Sequence, residues 1–382
     1  MRFAPFTWLR FLFHLLLVGC SCIMLLAAWS PYMDPAQWWP LAFLGLTFPL
    51  WLLLVIILWI LALLWKSKWI VVPTLALIGS WKAIAATIAF PPLRKPVEDV
   101  AQPVIKLMSY NVHGFTPYRN QPDPQEKYSR AMLQLIADQQ PDVICLQEFF
   151  TSDNPRLKKK DFKTYISDSL GYPYRYFSSD FNPSHSTSHS GVIIFSRWPI
   201  CRADKIPIIQ HPHAESLIYA DLRIGTDTVR LFTVHLQSIY LNQNDLIRIE
   251  EMKQGNDTAW RASRPIWSKL KRAFIRRSEE SKRVKQALNQ SPYPVILCGD
   301  FNDTPVSFTY FTLVRGMQDG FLKCGYGLGA TYYSISPTLR IDYILASKHW
   351  RFMRFMRIPV HLSDHYPIVA ELQLRTPSSV KP

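Results

Sequence analysis

Apolar positions divide the chain into two regions with different periods. Over residues 1–90 three apolar stretches, 9–29, 41–65 and 69–90, each reach the roughly 20 residues that cross a bilayer as a helix. Pro31, Asp34, Pro35 and Pro40 part the first from the second, Lys66 and Lys68 flank the turn into the third, and Pro73 and Lys82 interrupt the third. Trp8, Trp29, Trp38, Trp39, Trp65 and Trp69 lie near the ends of the stretches, as an interfacial aromatic belt does. The pattern predicts a membrane region of about three helices, followed by a stiff Pro-rich linker over 91–104.

From residue 105 to 374 the apolar runs shorten to strand length. Residues 105–110, 143–146, 191–195, 295–298, 339–345 and 368–372 are predicted as buried strands, and 216–223 with 228–234 as a hairpin around Gly225-Thr226-Asp227. Residues 126–140 instead set Tyr128, Met132, Leu135 and Ile136 at helical spacing, ended by Pro141. The stretch 244–290 reads as polar and helical, 375–382 as a tail, and no internal repeat is evident. The result is an α/β domain behind a membrane region.

Charge sharpens the division. Of a formal net charge of +15, residues 1–90 carry +4 (Arg2, Arg10, Lys66, Lys68 and Lys82 against Asp34), which leaves +11 for the remainder. Anionic partners follow: phosphate esters, nucleic acid or lipid headgroups. Arg2, Arg10, Lys66 and Lys68 place the amino terminus and the second turn in the cytoplasm, since the 30–40 loop has no Lys or Arg. Three spans then put the domain on the non-cytoplasmic side; Arg94 and Lys95 speak against this, and a half-inserted third stretch reverses it. A rival reading takes LVGC at 17–20 as a lipoprotein cleavage site at Cys20, although the apolar run continues through 21–29. The six cysteines show no disulfide spacing; Cys145 and Cys298 sit inside apolar runs, and a Cys201–Cys324 bridge has nothing to argue for it.

The candidate chemistry lies at strand ends. Asn111 and His113 follow the first strand, Glu148 the second, and His235 closes the hairpin. Asp300, Asn302 and Asp303 follow VILCG, Asp342 lies within LRIDYIL, and Asp364 and His365 precede the last strand. Singly, each has a structural explanation: an Asx-rich turn for Asp300, a salt-bridged strand end for Glu148. Together they offer carboxylates and an amide for a hard divalent cation, a spare Asp for a water, and a His backed by an Asp. The basic run 156–160 and the pair His185/His189 read as solvated loops, and the basic stretch 267–285 fits either a phosphate-binding face or an ordinary amphipathic helix.

In order, SYNVHGF, DVICLQE, GVIIFSR, FTVHLQS, VILCGDFND, RIDYIL and SDHYPI run from about residue 105 to 374. This series resembles the endonuclease/exonuclease/phosphatase superfamily. The resemblance implies a four-layer α/β sandwich of two packed mixed sheets and magnesium-dependent (or manganese-dependent) phosphoester hydrolysis. It implies Glu148 as the main metal ligand, with Asn111 and Asp364 assisting. Asp300 would activate water, fixed by Asn302; His365, paired with Asp342, would stabilise the transition state; His235 would contact the phosphate or protonate the leaving group. His113 stands where the family motif varies, and its role stays open. The expected protein is a membrane-anchored phosphodiesterase of nuclease type, partnered by its phosphoester substrate and the lipid bilayer, with no protein partner. The alternatives are a lipid-headgroup phosphodiesterase or phosphatase of sphingomyelinase or phosphoinositide type, and a non-catalytic tethered binding protein of the same fold.

Overall fold

The computed structural model describes residues 5–90, 102–116, 126–152, 162–181, 187–208, 217–255 and 263–375. The linker residues 91–101, the basic run 156–160, His185 and the tail beyond Arg375 lie outside the described residues. The chain forms two compact units: Met1–Thr87 with Ser238–Ser278 and Asp303–Phe311, and Ile88–Gln237 with Glu279–Asn302 and Thr312–Pro382.

The first unit is helical. Helix α1 (Pro5–Trp29) runs unbroken through Cys20, and it alone among the described helices is long and apolar enough to cross a membrane. The second expected stretch is not one helix. It is α2 (Pro35–Leu46), capped by Asp34, and α3 (Phe48–Leu64), bent by 52° where Thr47 and Pro49 interrupt the run. The third is likewise α4 (Val71–Gly79) and α5 (Trp81–Thr87), bent by 60° at Ser80. Leu15, Leu16, Leu50, Leu53, Leu64, Leu75 and Ile78 remain exposed, apolar surface of the kind that marks a membrane or protein interface. Residues expected in the second domain also join this unit. Trp267 and Phe274 each set a ring 5.2 Å from that of Phe43, Lys271 lies 4.5 Å over Trp39, and the Val306 carbonyl comes so near Gly45 that a Cβ there would stand 2.3 Å away.

The second unit is a sandwich of two mixed six-stranded sheets, as the resemblance implied. One sheet has the order β11-β12-β1-β2-β4-β3, made of β1 (Val104–Asn111), β2 (Val143–Ser152), β3 (Tyr174–Phe181), β4 (Ser188–Ser196), β11 (Trp350–Arg357) and β12 (Ile368–Leu374). The other has the order β5-β6-β7-β8-β10-β9, made of β5 (Ile200–Ile206), β6 (Leu217–Ile224), β7 (Asp227–His235), β8 (Val295–Asp300), β9 (Met317–Asp319) and β10 (Asp342–Ser347). Period-2 alternation divides each central strand between two cores. Ile105, Leu107, Val143 and Cys145 face the other sheet, beside Leu231, Ile296 and Cys298. Met108, Tyr110, Ile144 and Leu146 face outward onto Met132 and Ile136 of α6 (Lys127–Gln139). With both faces covered, the strands read as continuous apolar runs. Toward the carboxyl ends of β1 and β2 the interior turns polar: buried Gln147 donates through Nε2 to Ser109 at 3.3 Å and across to Thr233 of β7 at 3.0 Å.

Candidate active site

Register brings the polar strand ends together. Asp300 pairs with His235 across the parallel β7–β8 ladder and with Asp342 across the antiparallel β10–β8 ladder, while Asn111 on β1 pairs with Gln147 on β2. Strand β2 does not end at Leu146 as the sequence suggests; its register against β4 slips between Leu146 and Phe149, and Glu148 sits in that bulge at φ 52°. A bulge re-aims one side chain without ending the strand. The Glu148 carboxylate consequently turns to Asn111, which donates to it at 3.0 Å, and keeps 35% of its side chain exposed.

Asn111 also donates to Asp300 Oδ2 at 3.2 Å. Only its nitrogen can donate to two carboxylates, so the amide oxygen is turned the other way and accepts the backbone N–H of His113 at 3.1 Å. Asn111 thus joins the two carboxylates by hydrogen bonds. Its backbone carbonyl is tied to the Ser363 hydroxyl at 2.8 Å, and the same hydroxyl bonds Asp364 at 3.1 Å. This clamp from β1 to the SDH loop was not read from the sequence, because a serine between an apolar residue and an aspartate carries no signal of its own.

On the opposite side His365 Nδ1 meets Asp342 Oδ2 at 2.9 Å, and its Nε2 lies 3.6 Å from Asp300 Oδ2. His235 Nε2 stands between Asp300, at 3.7 Å, and Glu148, at 3.8 Å. Asp300 Oδ1 accepts the backbone N–H of Asn302 at 2.8 Å, and the Asn302 amide donates to the Leu236 carbonyl at 2.9 Å. Asn302 therefore fixes the turn that holds Asp300. Tyr332, whose ring lies 4.9 Å from that of His365, is a further neighbour that the sequence did not single out.

The electrostatics separate the carboxylates. Burial pushes the Glu148 carboxyl up, but the His113 hydrogen bond, the charges of His235 and His113 and the Asn111 amide outweigh it and hold it at about 2. Asp300 goes the other way. Burial raises it to about 7, with Asp342 adding to the rise and His365, His235 and the Asn302 N–H opposing it. For His365 burial favours the neutral ring, yet the charges of Asp342 and Asp300 and the Asp342 hydrogen bond raise it to about 10. One carboxylate is firmly ionised, one is poised near neutrality, and a cationic imidazole faces the second.

Two groups of side chains could hold a cation. Asp300, Asp342 and His365 bring ligand atoms within 4.8 Å of one another. In that buried trio Asp342 Oδ2 is already bonded to His365 Nδ1, and Asp300 accepts from the Asn302 N–H and the Asn111 amide. Glu148 fits better: ionised, partly open, and joined electrostatically through His113 to Asp364.

Residues 108–365 match the model of the Endonuclease/Exonuclease/phosphatase family. The chain belongs to that family. Members of the endonuclease/exonuclease/phosphatase family hydrolyse phosphoester bonds, and its enzymes typically depend on a divalent metal. Residues 7–87 match the model of a domain of unknown function. Among solved structures, the human Nocturnin catalytic domain with a bound sulfate anion is 18% identical, over 75% of this chain and 100% of that one, at a TM-score of 0.50. Family proteins from Leptotrichia buccalis (17% identical, 70% and 99% covered) and Bacteroides thetaiotaomicron (16% identical, 74% and 98% covered) also give TM-scores of 0.50. At these identities the likeness concerns the fold alone. No curated protein matches the sequence.

Proposed function

We propose that this chain is a membrane-anchored, divalent-metal-dependent hydrolase of phosphoester bonds, a phosphodiesterase of nuclease type. One observation carries the proposal: Asp300, raised to about 7, lies with His365 and His235 within 4 Å of it and with Asn111 linking it to ionised Glu148. A base poised near the working pH is suited to take a proton from water. Asp300 does so, oriented by the Asn302 N–H and the Asn111 amide. His365, kept cationic and aimed by Asp342, donates to a phosphoryl oxygen and offsets the charge that grows there. His235 stands ready to contact the same phosphoryl group or to protonate the leaving oxygen. Glu148 and Asp364 would hold magnesium or manganese, which when bound polarises the phosphoryl group. Asn111 aligns Glu148 with Asp300.

The first unit supports the membrane anchor and its orientation. At one end of α1, His14 is 3.1 Å from Ser67 and the Phe13 ring 4.8 Å from that of Trp65, beside Lys66 and Lys68. At the other end, Tyr32 packs on Phe311 at 5.6 Å. Asp303–Phe311, which follows Asn302 directly in the chain, therefore joins the end of α1 opposite the lysine turn. With the amino terminus and the lysine turn cytoplasmic, three spans put the catalytic domain outside the cytoplasm, and a half-inserted third stretch reverses it. A membrane anchor favours a second reading, a lipid-headgroup substrate.

The test uses full-length protein in detergent with magnesium or manganese, screened on nucleic acids, phospholipids and bis(p-nitrophenyl) phosphate. Hydrolysis that a chelator abolishes and either metal restores is expected. Inactivity on every member of the screen would leave the non-catalytic binding protein as the better reading.

A further inference from the structure

We propose that Arg277 and Glu280 are positioning residues for the hydrolysis: without touching substrate, they hold the loops that carry His235 and the Asp300–Asn302 turn. The assignment rests on the function proposed above and goes beyond it in naming what keeps the reacting groups in place. Both residues lie on the helix Arg264–Asn289, the basic stretch that the sequence leaves between a phosphate-binding face and an ordinary amphipathic helix. The structure ties several of its cations to the chain's own acceptors. Lys269 pairs with Asp245, Lys285 donates to the Arg315 carbonyl, and Arg277 is turned inward and buried.

Two bonds define the device. Arg277 Nε donates to Asp303 Oδ2 at 3.3 Å, and Glu280 Oε2 accepts the backbone N–H of Gln237 at 2.9 Å. Each bond lies within one compact unit, Arg277 with Asp303 in the helical one and Glu280 with Gln237 in the sandwich. Residues three apart share one face of a helix. That face grips the chain at two points, each beside reacting groups: Asp303 follows Asn302, and Gln237 stands two residues past His235. The intervening Leu236 donates its N–H to the Asp300 carbonyl at 2.9 Å and accepts the Asn302 amide at 2.9 Å. Asn302 itself has φ 52°, a left-handed conformation that persists where its surroundings impose it. Arg277 supplies that constraint at the next residue.

Stability alone does not account for these side chains. Arg277, Glu280 and Asp303 are all buried, and taking ions out of water is so costly that apolar side chains of similar size often serve a core as well or better. What an apolar side chain lacks is a directed bond to the Gln237 N–H or to the Asp303 carboxylate. Direction matters here, because a misplacement of about 1 Å at reacting groups costs on the order of 100-fold in rate.

The test measures kcat and KM of full-length protein in detergent on the best-cleaved member of the screen above, well below each variant's melting temperature. Two variants untie the loops: Glu280→Met, and Arg277→Met combined with Asp303→Asn, which strands no charge. Each is expected to lower kcat by roughly 10- to 100-fold while KM stays within about twofold of the wild type. Glu280→Gln keeps an acceptor for the Gln237 N–H and is expected to recover most of the rate. An unchanged kcat in both folded variants, or a rise in KM alone, overturns the positioning role and leaves the hydrolase standing. A Glu280→Gln protein as slow as Glu280→Met also overturns it, since the bond to Gln237 is then not what acts. Inactivity of the wild type on the whole screen overturns the proposed function and the positioning role with it.

Discussion

At the scale of the residue, protons decide. Asp300 must be ionised to accept a proton, and His365 protonated to donate one. The rate therefore rises with pH until Asp300 ionises, at or below about 7 because a bound cation lowers it further, and falls as His365 loses its proton toward about 10. A pH profile of kcat/KM measures both limbs, and one that falls across neutral pH contradicts the assignment. Asp300→Asn is expected to lower kcat by roughly 10²–10⁴-fold with the melting temperature little changed. An ion pair between groups with no assigned chemical role behaves differently: Arg340 and Asp319, both buried, meet at 2.6 Å. Arg340→Met strands the Asp319 carboxylate and should cost about 3–5 kcal/mol in urea unfolding. The identities of Asn111, Glu148, His235, Asp300, Asp342, Asp364 and His365 were legible in the sequence as polar letters after apolar runs. Which atom of Asn111 faces which partner was not, because it depends on single φ angles at His113 and Glu148.

Elements were legible in proportion to their burial. The eight strands β1, β2, β4, β6, β7, β8, β10 and β12 all follow from apolar runs, and each lies inside its sheet. The strands not foreseen are β3, β5, β9 and β11, and they are the four sheet edges. An edge strand is covered less and carries charge against unwanted pairing, as WRFMRFMR in β11 shows, so no apolar run announces it. The bent helix pairs were missed for the opposite reason: Thr47 and Ser80 are too mild to register in a run of leucines. Inside a sheet tolerance is least. Gly299 has φ 134°, and a Cβ there would stand 1.9 Å from the Val234 carbonyl across the β7–β8 ladder. Gly299→Ala is expected to cost more than about 3 kcal/mol, read as lost protease resistance alongside lost activity.

For the whole molecule, the proposed anchor and activity are tested by telling apart two sides of a membrane and two kinds of phosphoester. A reporter fused after Pro382 should be active only outside the cytoplasm; activity inside contradicts the orientation drawn from Arg2, Arg10, Lys66 and Lys68. Salt then separates the substrates, since nucleic acid binding to a domain region carrying +11 weakens steeply with ionic strength whereas a headgroup presented by the bilayer depends on it less. Neither answer was legible in the composition, because both substrates are anionic. One pairing has a consequence for how the protein is made. Strand β1 lies between β2 and β12, the last strand of the fold, and its Asn111 is clamped by Ser363. During translation, Glu148 and Asp300 emerge long before the segment that closes the first sheet. A nascent chain thus carries hydrolytic side chains without the clamp that aligns them, and the catalyst comes into being only near the end of its own synthesis.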